Sequence, residues 1–247
     1  MVKVLGIELN DSNLDSAVKK IVSEVSKKKK KNLCISATGA HGLVTAKKDR
    51  KFRKILESFY LNLPDGQPAV WVGRLKGAKK MERCYGPDFF KDVTVLSANK
   101  DIKHFFCGGK PGVASELKTA CARKFGNKNI VGTFCPPFRE MTDAELKRLA
   151  EKINKSQADI VWIGLGTPKQ EFFAHRLSKF TKVHFIVTVG AAFDFHTGKV
   201  KQAPKFMQRA GLEWFFRLCV EPRRLYRRYL EVVPKFIYYS IIDLAKK

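Results

Sequence analysis

Four stretches of this 247-residue chain place residues capable of chemistry directly after short apolar runs. The first is Leu61-Asn62-Leu63-Pro64 followed by Asp65-Gly66. A carboxylate at the carboxyl end of a strand can serve as a general base if its pKa is suitable, and the same pair also reads as a simple Asp-Gly turn. The second is Gly108-Gly109-Lys110-Pro111-Gly112. Two glycines let a backbone approach a ligand closely, and the helix that follows offers free N–H groups to a phosphate. A βα loop that needs positive φ accounts for them equally. The third runs from Gly164 through Gly166, Thr167, Pro168 and Gln170 to Glu171. Thr167 suits a helix N-cap, Pro168 the first helical position, and Gln170 would close a capping box. The tight glycine turn also suits a ribose or phosphate. The fourth is Gly190-Ala191-Ala192-Phe193-Asp194-Phe195. Its small residues would line a crevice, and Asp194 reads more readily as an acceptor of backbone hydrogen bonds than as a charged site residue.

Guanidinium groups are the natural partners of phosphate oxygens. Arg83 stands in Glu82-Arg83-Cys84-Tyr85-Gly86-Pro87, and Arg217, Arg224 and Arg228 would share one face of an unbroken helix, but Pro222 lies between them and breaks helices. A solvated basic face is the alternative for these arginines, and it is the expectation for Lys27–Lys31. The chain has no DxD, GxSxG or GxxxxGK[ST] motif, and His41, His104, His175, His184 and His196 show no ligand spacing. No metal site and no cofactor is expected. None of the six cysteines forms a CxxC pair, so they are expected as thiols, mostly buried, in a reducing compartment.

The elements that must position these residues alternate. Val2–Leu9, Asn32–Ala37, Leu61–Pro64, Lys103–Cys107, Asn129–Phe134, Asp159–Gly166 and Val183–Gly190 read as strands. Helices are expected over Asp15–Lys31, Gly42–Phe59, Pro68–Leu75, Pro87–Ala98 and Val113–Phe125, then from Thr142, with Glu145 completing a capping box, and from Pro168. This rhythm argues for an α/β fold, Rossmann-like, with a mostly parallel sheet and helices on both faces. Ligands in such sheets bind beyond the carboxyl ends of the strands, which is where the four stretches fall. Residues 199–247 differ: they carry 12 Lys/Arg against 4 Asp/Glu, with aromatic residues interleaved. The expected organisation is a catalytic core over 1–198 and a helical, basic appendage over 199–247.

Overall, 48 Lys+Arg against 23 Asp+Glu give a net charge of +25, which points to an anionic partner: nucleic acid, a membrane surface or a phosphate-bearing substrate. The 45% hydrophobic content excludes bulk disorder. The N-terminus does not read as a signal peptide, and no apolar run is long enough to span a bilayer. The expected location is the cytoplasm, with peripheral attachment to the inner face of the plasma membrane. A nucleic-acid-binding α/β protein is one alternative. A nucleotide-dependent oxidoreductase is another, but Gln170 and Glu171 stand where a third glycine would be sought, and no acidic residue ends Val183–Gly190.

At these residues the chain resembles the WecG/TagA/CpsF glycosyltransferases, sequence family twenty-six. The matching stretches are TGAHGLVTAKKDRKF, LPDGQPAVWVGRLKG, ERCYGPDF, FFCGGKPGVA, DIVWIGLGTPKQEFF, VGAAFDFHTGKVKQAP and GLEWFFRLCVEPRRLYRRYL. The resemblance implies an inverting transferase, without an obligatory metal, that moves a sugar from a UDP-sugar to a polyprenyl-diphosphate-linked saccharide at the membrane. The sugar would be N-acetylmannosamine or its uronic acid, glucose or glucuronate. The resemblance implies Asp65 as catalytic base and Thr38, Arg83 and Gln170 as substrate-side residues. It implies Arg217, Arg224 and Arg227 as the appendage's arginines and an anionic membrane surface as partner, with no role for nucleic acid. Gly108, Gly109 and Gly166 complete the expected substrate-binding set. Many members carry Asn two residues after the loop threonine. Here the run is Thr38-Gly39-Ala40-His41-Gly42, and His41 is expected to replace that contact. Assembly of like chains is left open.

Overall fold

The structure, a computed structural model, describes residues 1–27 and 30–246. Its strands are β1 (Val2–Val4), β2 (Ile7–Leu9), β3 (Leu33–Thr38), β4 (Leu61–Pro64), β5 (His104–Gly108), β6 (Ile130–Phe134), β7 (Ile160–Gly164) and β8 (Phe185–Thr188). Strands β3 to β8 form one parallel sheet in the order β4-β3-β8-β7-β5-β6. Parallel strands joined by helical crossovers are buried on both faces, and successive side chains point to opposite faces. Trp162 accordingly packs with Ile35, Leu63, Phe106 and Val187 on one side. Its neighbours Val161 and Ile163 pack with Cys34, Phe105, Cys107 and Ile186 on the other.

The Trp162 side is covered by α1 (Leu14–Val25), α5 (Gly86–Leu96), α6 (Val113–Phe125) and α9 (Ala192–His196). The opposite side carries the β1–β2 hairpin, α2 (Ala40–Lys48), α3 (Arg50–Glu57), α4 (Gln67–Leu75), α7 (Asp143–Lys155) and α8 (Lys169–Leu177). The expected α/β parallel sheet with helices on both faces is thus observed, as is the Thr142–Glu145 capping box. His104, fully buried, bridges Ser97 (2.9 Å) and Trp162 (3.0 Å), so it is a satisfied core histidine. The cysteines are unpaired; Cys34, Cys84, Cys107 and Cys121 are buried, whereas Cys219 is exposed.

Several boundaries differ from the sequence reading. Val2–Leu9 is a hairpin, not one strand: Leu5 (φ 52) and Gly6 (φ 85) turn the chain, the left-handed pair that a two-residue hairpin loop requires. Leu5 is a poor residue for that conformation, which costs about 1–2 kcal/mol. Its side chain is 1% exposed, and burying a leucine returns about as much. The helix expected over Gly42–Phe59 is split at Asp49, whose carboxylate caps α3 by accepting from the N–H groups of Lys51 (2.8 Å) and Phe52 (3.0 Å). The first helix stops at Val25 rather than Lys31. Of the Lys27–Lys31 run, Lys28 and Lys29 lie outside the described residues, while Lys30 is anchored to Asp159 at 2.9 Å rather than simply solvated.

The C-terminal stretch is helical: α10 (Lys205–Arg209), α11 (Glu213–Val220) and α12 (Pro222–Ala245). The chain breaks at Glu221 (φ −131, ψ 57), and Pro222 begins α12, the helical position where its missing N–H costs least. Helix α12 lies against α2 and α4. Leu225, Val232 and Phe236 are buried there, and Asp243 accepts from Lys76 (2.9 Å) and from the N–H of Leu5 (2.8 Å). Among the described residues, no helix is long and apolar enough to cross a membrane.

Candidate active site

Strand β4 delivers Asp65 to the carboxyl edge of the sheet, where its N–H bonds the carbonyl of Thr38 on the neighbouring β3 (3.2 Å). Its Oδ1 accepts the N–H of Gly86 (2.7 Å), the first residue of α5. Its Oδ2 accepts no hydrogen bond among the described residues and lies beside Gly39, where an added Cβ would come within 3.6 Å. Burial among these loops raises the Asp65 pKa to about 6, and Glu213 adds to the rise. The charges of Arg83 and Arg217 and the Gly86 N–H oppose it. A carboxyl of this proton affinity is ionised at neutral pH yet a far better base than an exposed aspartate.

Arg83 stands beside it. Its Nε donates to the carbonyl of Asp65 (2.6 Å), its Nη2 pairs with Glu213 of α11, and its guanidinium stacks 4.0 Å over the Tyr85 ring. The Tyr85 hydroxyl donates to the other oxygen of Glu213 (2.6 Å). Tyr85 neighbours Phe195 of α9 (6.3 Å between ring centroids), and Arg217 of α11 lies 5.6 Å over that same Phe195 ring. One wall of the crevice therefore consists of Arg83, Tyr85, Phe195 and Arg217, and two of its anchors come from the C-terminal helices. Sequence reasoning did not single out Glu213 or Tyr85.

The glycine loops lie where β5 and β7 run side by side while their crossovers leave in opposite directions, β5 towards β6 and β7 towards β8. This is a topological switch point, where parallel sheets open a crevice. Gly108 (φ 143) is there for packing: a Cβ would lie 2.5 Å from the carbonyl oxygen of Gly164. The N–H of Gly109 donates to that oxygen (2.9 Å). Around Gly166 (φ 77) the space is open.

Thr38 and Gln170 face inward. The Thr38 hydroxyl donates to Ser36 (2.8 Å), and Ser36 donates to Glu171 (3.2 Å). Gln170 does not close a capping box, because Thr167 is not the N-cap; α8 starts after Pro168. Instead its Oε1 accepts the N–H groups of Gly166 (3.2 Å) and Gly190 (3.0 Å), fastening the ends of β7 and β8 together. Glu171 is 1% exposed. Its Oε1 also accepts from Thr167 (3.0 Å) and Gln170 (2.9 Å), its Oε2 has no partner, and burial raises its pKa.

The C-terminal arginines converge despite the break at Pro222. The Arg228 pKa is lowered by burial and by the charges of Arg224 and Arg217. Arg217 has a buried Nε with no hydrogen-bond partner, and Arg224 bonds Glu221 at 2.5 Å. His41, on the first turn of α2, is pushed down to about 4 by burial and by Arg228, so it is neutral at pH 7. Arg227 is exposed on α12, and it is Arg228 whose charge reaches His41. Asp194 departs from the expected role: its backbone carbonyl, not its carboxylate, accepts from Lys199 (2.9 Å) and Val200 (3.3 Å). Burial raises the pKa of that carboxylate, against the charges of Arg224, Lys110 and Arg217.

Among the described residues, no cluster of three or more His, Cys, Asp or Glu side chains could hold a metal ion. A polar hollow of about 320 Å³ lies at the opposite, amino-terminal end of the sheet, but Lys30, Lys103 and Asp159, which line it, are already engaged with one another and with neighbouring groups.

A parallel-sheet crevice with carboxyls of raised proton affinity, Asp65 and Asp194, near converging guanidinium groups suits a group-transfer enzyme with an anionic substrate. Residues 2–247 match the model of the glycosyl transferase WecG/TagA/CpsF family, and the chain belongs to that family: it is a glycosyltransferase. It is 30% identical over 231 residues to an N-acetylglucosaminyldiphosphoundecaprenol N-acetyl-beta-D-mannosaminyltransferase of Bacillus spizizenii (strain ATCC 23059 / NRRL B-14472 / W23), covering 94% of this chain and 87% of that one. A protein of the same description from Bacillus subtilis (strain 168) is 31% identical over 202 residues, covering 82% of this chain and 76% of the relative. The nucleic-acid and oxidoreductase alternatives find no support in these relationships.

Proposed function

We propose that the protein transfers N-acetylmannosamine, with inversion, from its UDP-linked form to an N-acetylglucosamine carried on a polyprenyl diphosphate, in the synthesis of a cell-surface polymer. The relatives' names support this choice over glucose or a uronic acid. The observation that carries the mechanism is the position of Arg217. Its charge is felt both by Asp65 and by Asp194, and its buried Nε–H lacks a partner. An unpaired buried donor costs about 1–3 kcal/mol, a cost that a bound phosphate oxygen would remove.

In this reading Oδ2 of Asp65 takes the proton from the acceptor hydroxyl. The hydroxyl oxygen bonds to the anomeric carbon as the bond from that carbon to the diphosphate oxygen breaks, and UDP departs. One base and no covalent enzyme intermediate suffice for inversion. Arg217, Arg224, Arg228 and Lys110 carry the developing negative charge, while Arg83 and neutral His41 contact the sugars.

A lipid-linked acceptor is supported by an apolar groove of about 200 Å³ between α11 and α12, lined by Trp214, Leu218, Tyr226, Tyr229, Leu230, Val233 and Pro234. Tyr229 both lines the groove and feels the charges of Arg217 and Arg228, so hydrocarbon and diphosphate would find adjacent seats. Residues 1–198 then act as the catalytic core and 199–247 as the appendage resting on the inner face of the membrane.

The test is direct. The purified protein is incubated with UDP-N-acetylmannosamine, UDP-glucose or UDP-glucuronate and a short polyprenyl-diphospho-N-acetylglucosamine. The expected product is the N-acetylmannosaminyl disaccharide with inverted anomeric configuration by mass and NMR. Transfer from another donor in preference, or retention of configuration, would overturn the assignment.

A further inference from the structure

We propose that Glu213, carried by the C-terminal helices, is a positioning residue of the transfer site: it draws the Arg83 guanidinium away from the Asp65 carboxylate and so keeps the base free. This rests on the reading of Asp65 as the base.

The geometry is specific. Arg83 is close enough to donate through Nε to the backbone carbonyl of Asp65 at 2.6 Å, yet it makes no hydrogen bond to the Asp65 carboxylate. Its Nη2 is instead committed to Glu213, which sits in a part-buried pair with side chains 14% and 11% exposed. Arginine and carboxylate pair strongly when their planes meet, and after Glu213 the carboxylate that acts most on Arg83 is that of Asp65. Such a pairing would lower the proton affinity of Asp65 and occupy Oδ2, the oxygen that takes the proton.

Glu213 is itself fixed on two sides, by Arg83 and by the Tyr85 hydroxyl at 2.6 Å. The Tyr85 ring lies 4.0 Å under the guanidinium, so the three side chains hold one another. Each of Arg83's Nε and Nη2 has a protein partner, and Nη1 makes no hydrogen bond among the described residues, which leaves one donor edge for a substrate. The groups that act on the Asp65 carboxyl come from three directions: Arg83 from the segment between α4 and α5, the Gly86 N–H from α5, and Glu213 and Arg217 from α11. Glu213 is the member of this set that adds negative charge, and it arrives from a segment 130 positions beyond Arg83 in sequence. A helix that serves only to meet the membrane has no need to bury a carboxylate here.

The experiment compares the wild type with Glu213→Gln and Asp243→Asn in full-length protein, using transfer to the short polyprenyl acceptor from pH 5 to pH 9. Glutamine keeps an acceptor for the Tyr85 hydroxyl but not the charge. Asp243→Asn weakens a different contact between α12 and the core, the one with Lys76. The expected result for Glu213→Gln is a tenfold or larger fall in kcat with donor KM within about twofold, and a displacement of the acid limb of the kcat profile to lower pH by about one unit. Asp243→Asn leaves the limb in place. An unmoved limb in Glu213→Gln, whatever its rate, makes Glu213 a mere anchor and overturns the proposal. Asp65→Asn run alongside separates the two failures: if it is inactive and the Glu213→Gln limb has not moved, only this inference falls, whereas wild-type turnover by Asp65→Asn removes the base itself.

Discussion

Oδ1 of Asp65 accepts the N–H of Gly86 at 2.7 Å, so the carboxylate is held by the first residue of α5. An anion at a helix N-terminus is favoured by the unpaired N–H groups there. The close fit depends on Gly86 being glycine: a Cβ would lie 3.1 Å from that of Ala37 and 3.3 Å from both Oδ1 of Asp65 and the Val189 carbonyl. With one oxygen fixed, the other is left without a hydrogen-bond partner among the described residues, beside Gly39.

Asp65→Asn should therefore preserve the fold, because its side-chain oxygen still accepts from Gly86. Turnover should fall by about 10²–10⁴, the range for loss of a general base. Single-turnover rates beside a melting curve check this; a loss of rate explained by unfolding would not count.

The pH dependence follows from the Asp65 pKa of about 6 against an ordinary value of 3.8. The base must be ionised, so kcat should rise through pH 6 and level off above it. Stability moves the other way. Because the folded-state value is raised, the folded protein binds the proton more tightly, and ionisation costs stability progressively from pH 4 to pH 6. At pH 7–8 the full cost is as much as ~3 kcal/mol. Asp65→Asn should thus melt higher than the wild type at pH 8, with the difference vanishing near pH 4. Equal melting temperatures at pH 8 would show that the carboxyl is not desolvated.

The sheet was legible because parallel strands buried on both faces read as continuous apolar runs, Asp159–Gly166 being the clearest. What escaped depended on tertiary context. Leu5 at positive φ carries no turn signal, so the β1–β2 hairpin read as one strand. Asp49 is a good capping residue, but the apolar stripe on either side of it suggested a continuous helix. Gln170 fitted a capping box by spacing, whereas its oxygen binds Gly190, twenty residues on. Glu213 sat within a quoted stretch without distinction, because nothing near it in sequence reveals Arg83 and Tyr85 as its partners. The break at Pro222 was foreseen; that Arg217, Arg224 and Arg228 meet across it depends on how α12 folds back on α2.

Two of the three glycines expected to bind substrate, Gly108 and Gly166, should separate on substitution. Gly108→Ala combines φ 143 with a Cβ only 2.5 Å from the Gly164 carbonyl oxygen, so the ends of β5 and β7 must part. A loss of more than about 3 kcal/mol or failure to fold is expected. At Gly166 the space is open and only φ 77 resists, so Gly166→Ala should cost about 1 kcal/mol. Urea denaturation of both variants measures the contrast.

Arg228 and Arg227 are adjacent on α12 and both exposed, but it is Arg228 whose charge acts on His41. Arg228→Ala removes a charge felt at Arg217, Arg224 and His41, and UDP affinity should fall about tenfold. Arg227→Ala removes a charge that does not act on His41 and should leave UDP affinity within twofold. Calorimetric titration with UDP checks both. Equal losses would move Arg227 into the diphosphate site.

Truncation after residue 200 would be a poor test of membrane attachment, because Val232 and Phe236 of α12 belong to the core cluster beneath it. Its outward side offers a cleaner one: Ile237, Tyr238 and Ile241 are 55%, 61% and 63% exposed. Exposed apolar side chains on a basic helix suit an interface with anionic lipid. Ile237→Glu with Ile241→Glu should leave the melting temperature within about 2 °C, since neither side chain is packed. Sedimentation with anionic vesicles should drop at least fivefold, and transfer to a water-soluble acceptor should be unchanged. Undiminished vesicle binding would place the membrane contact elsewhere on the chain.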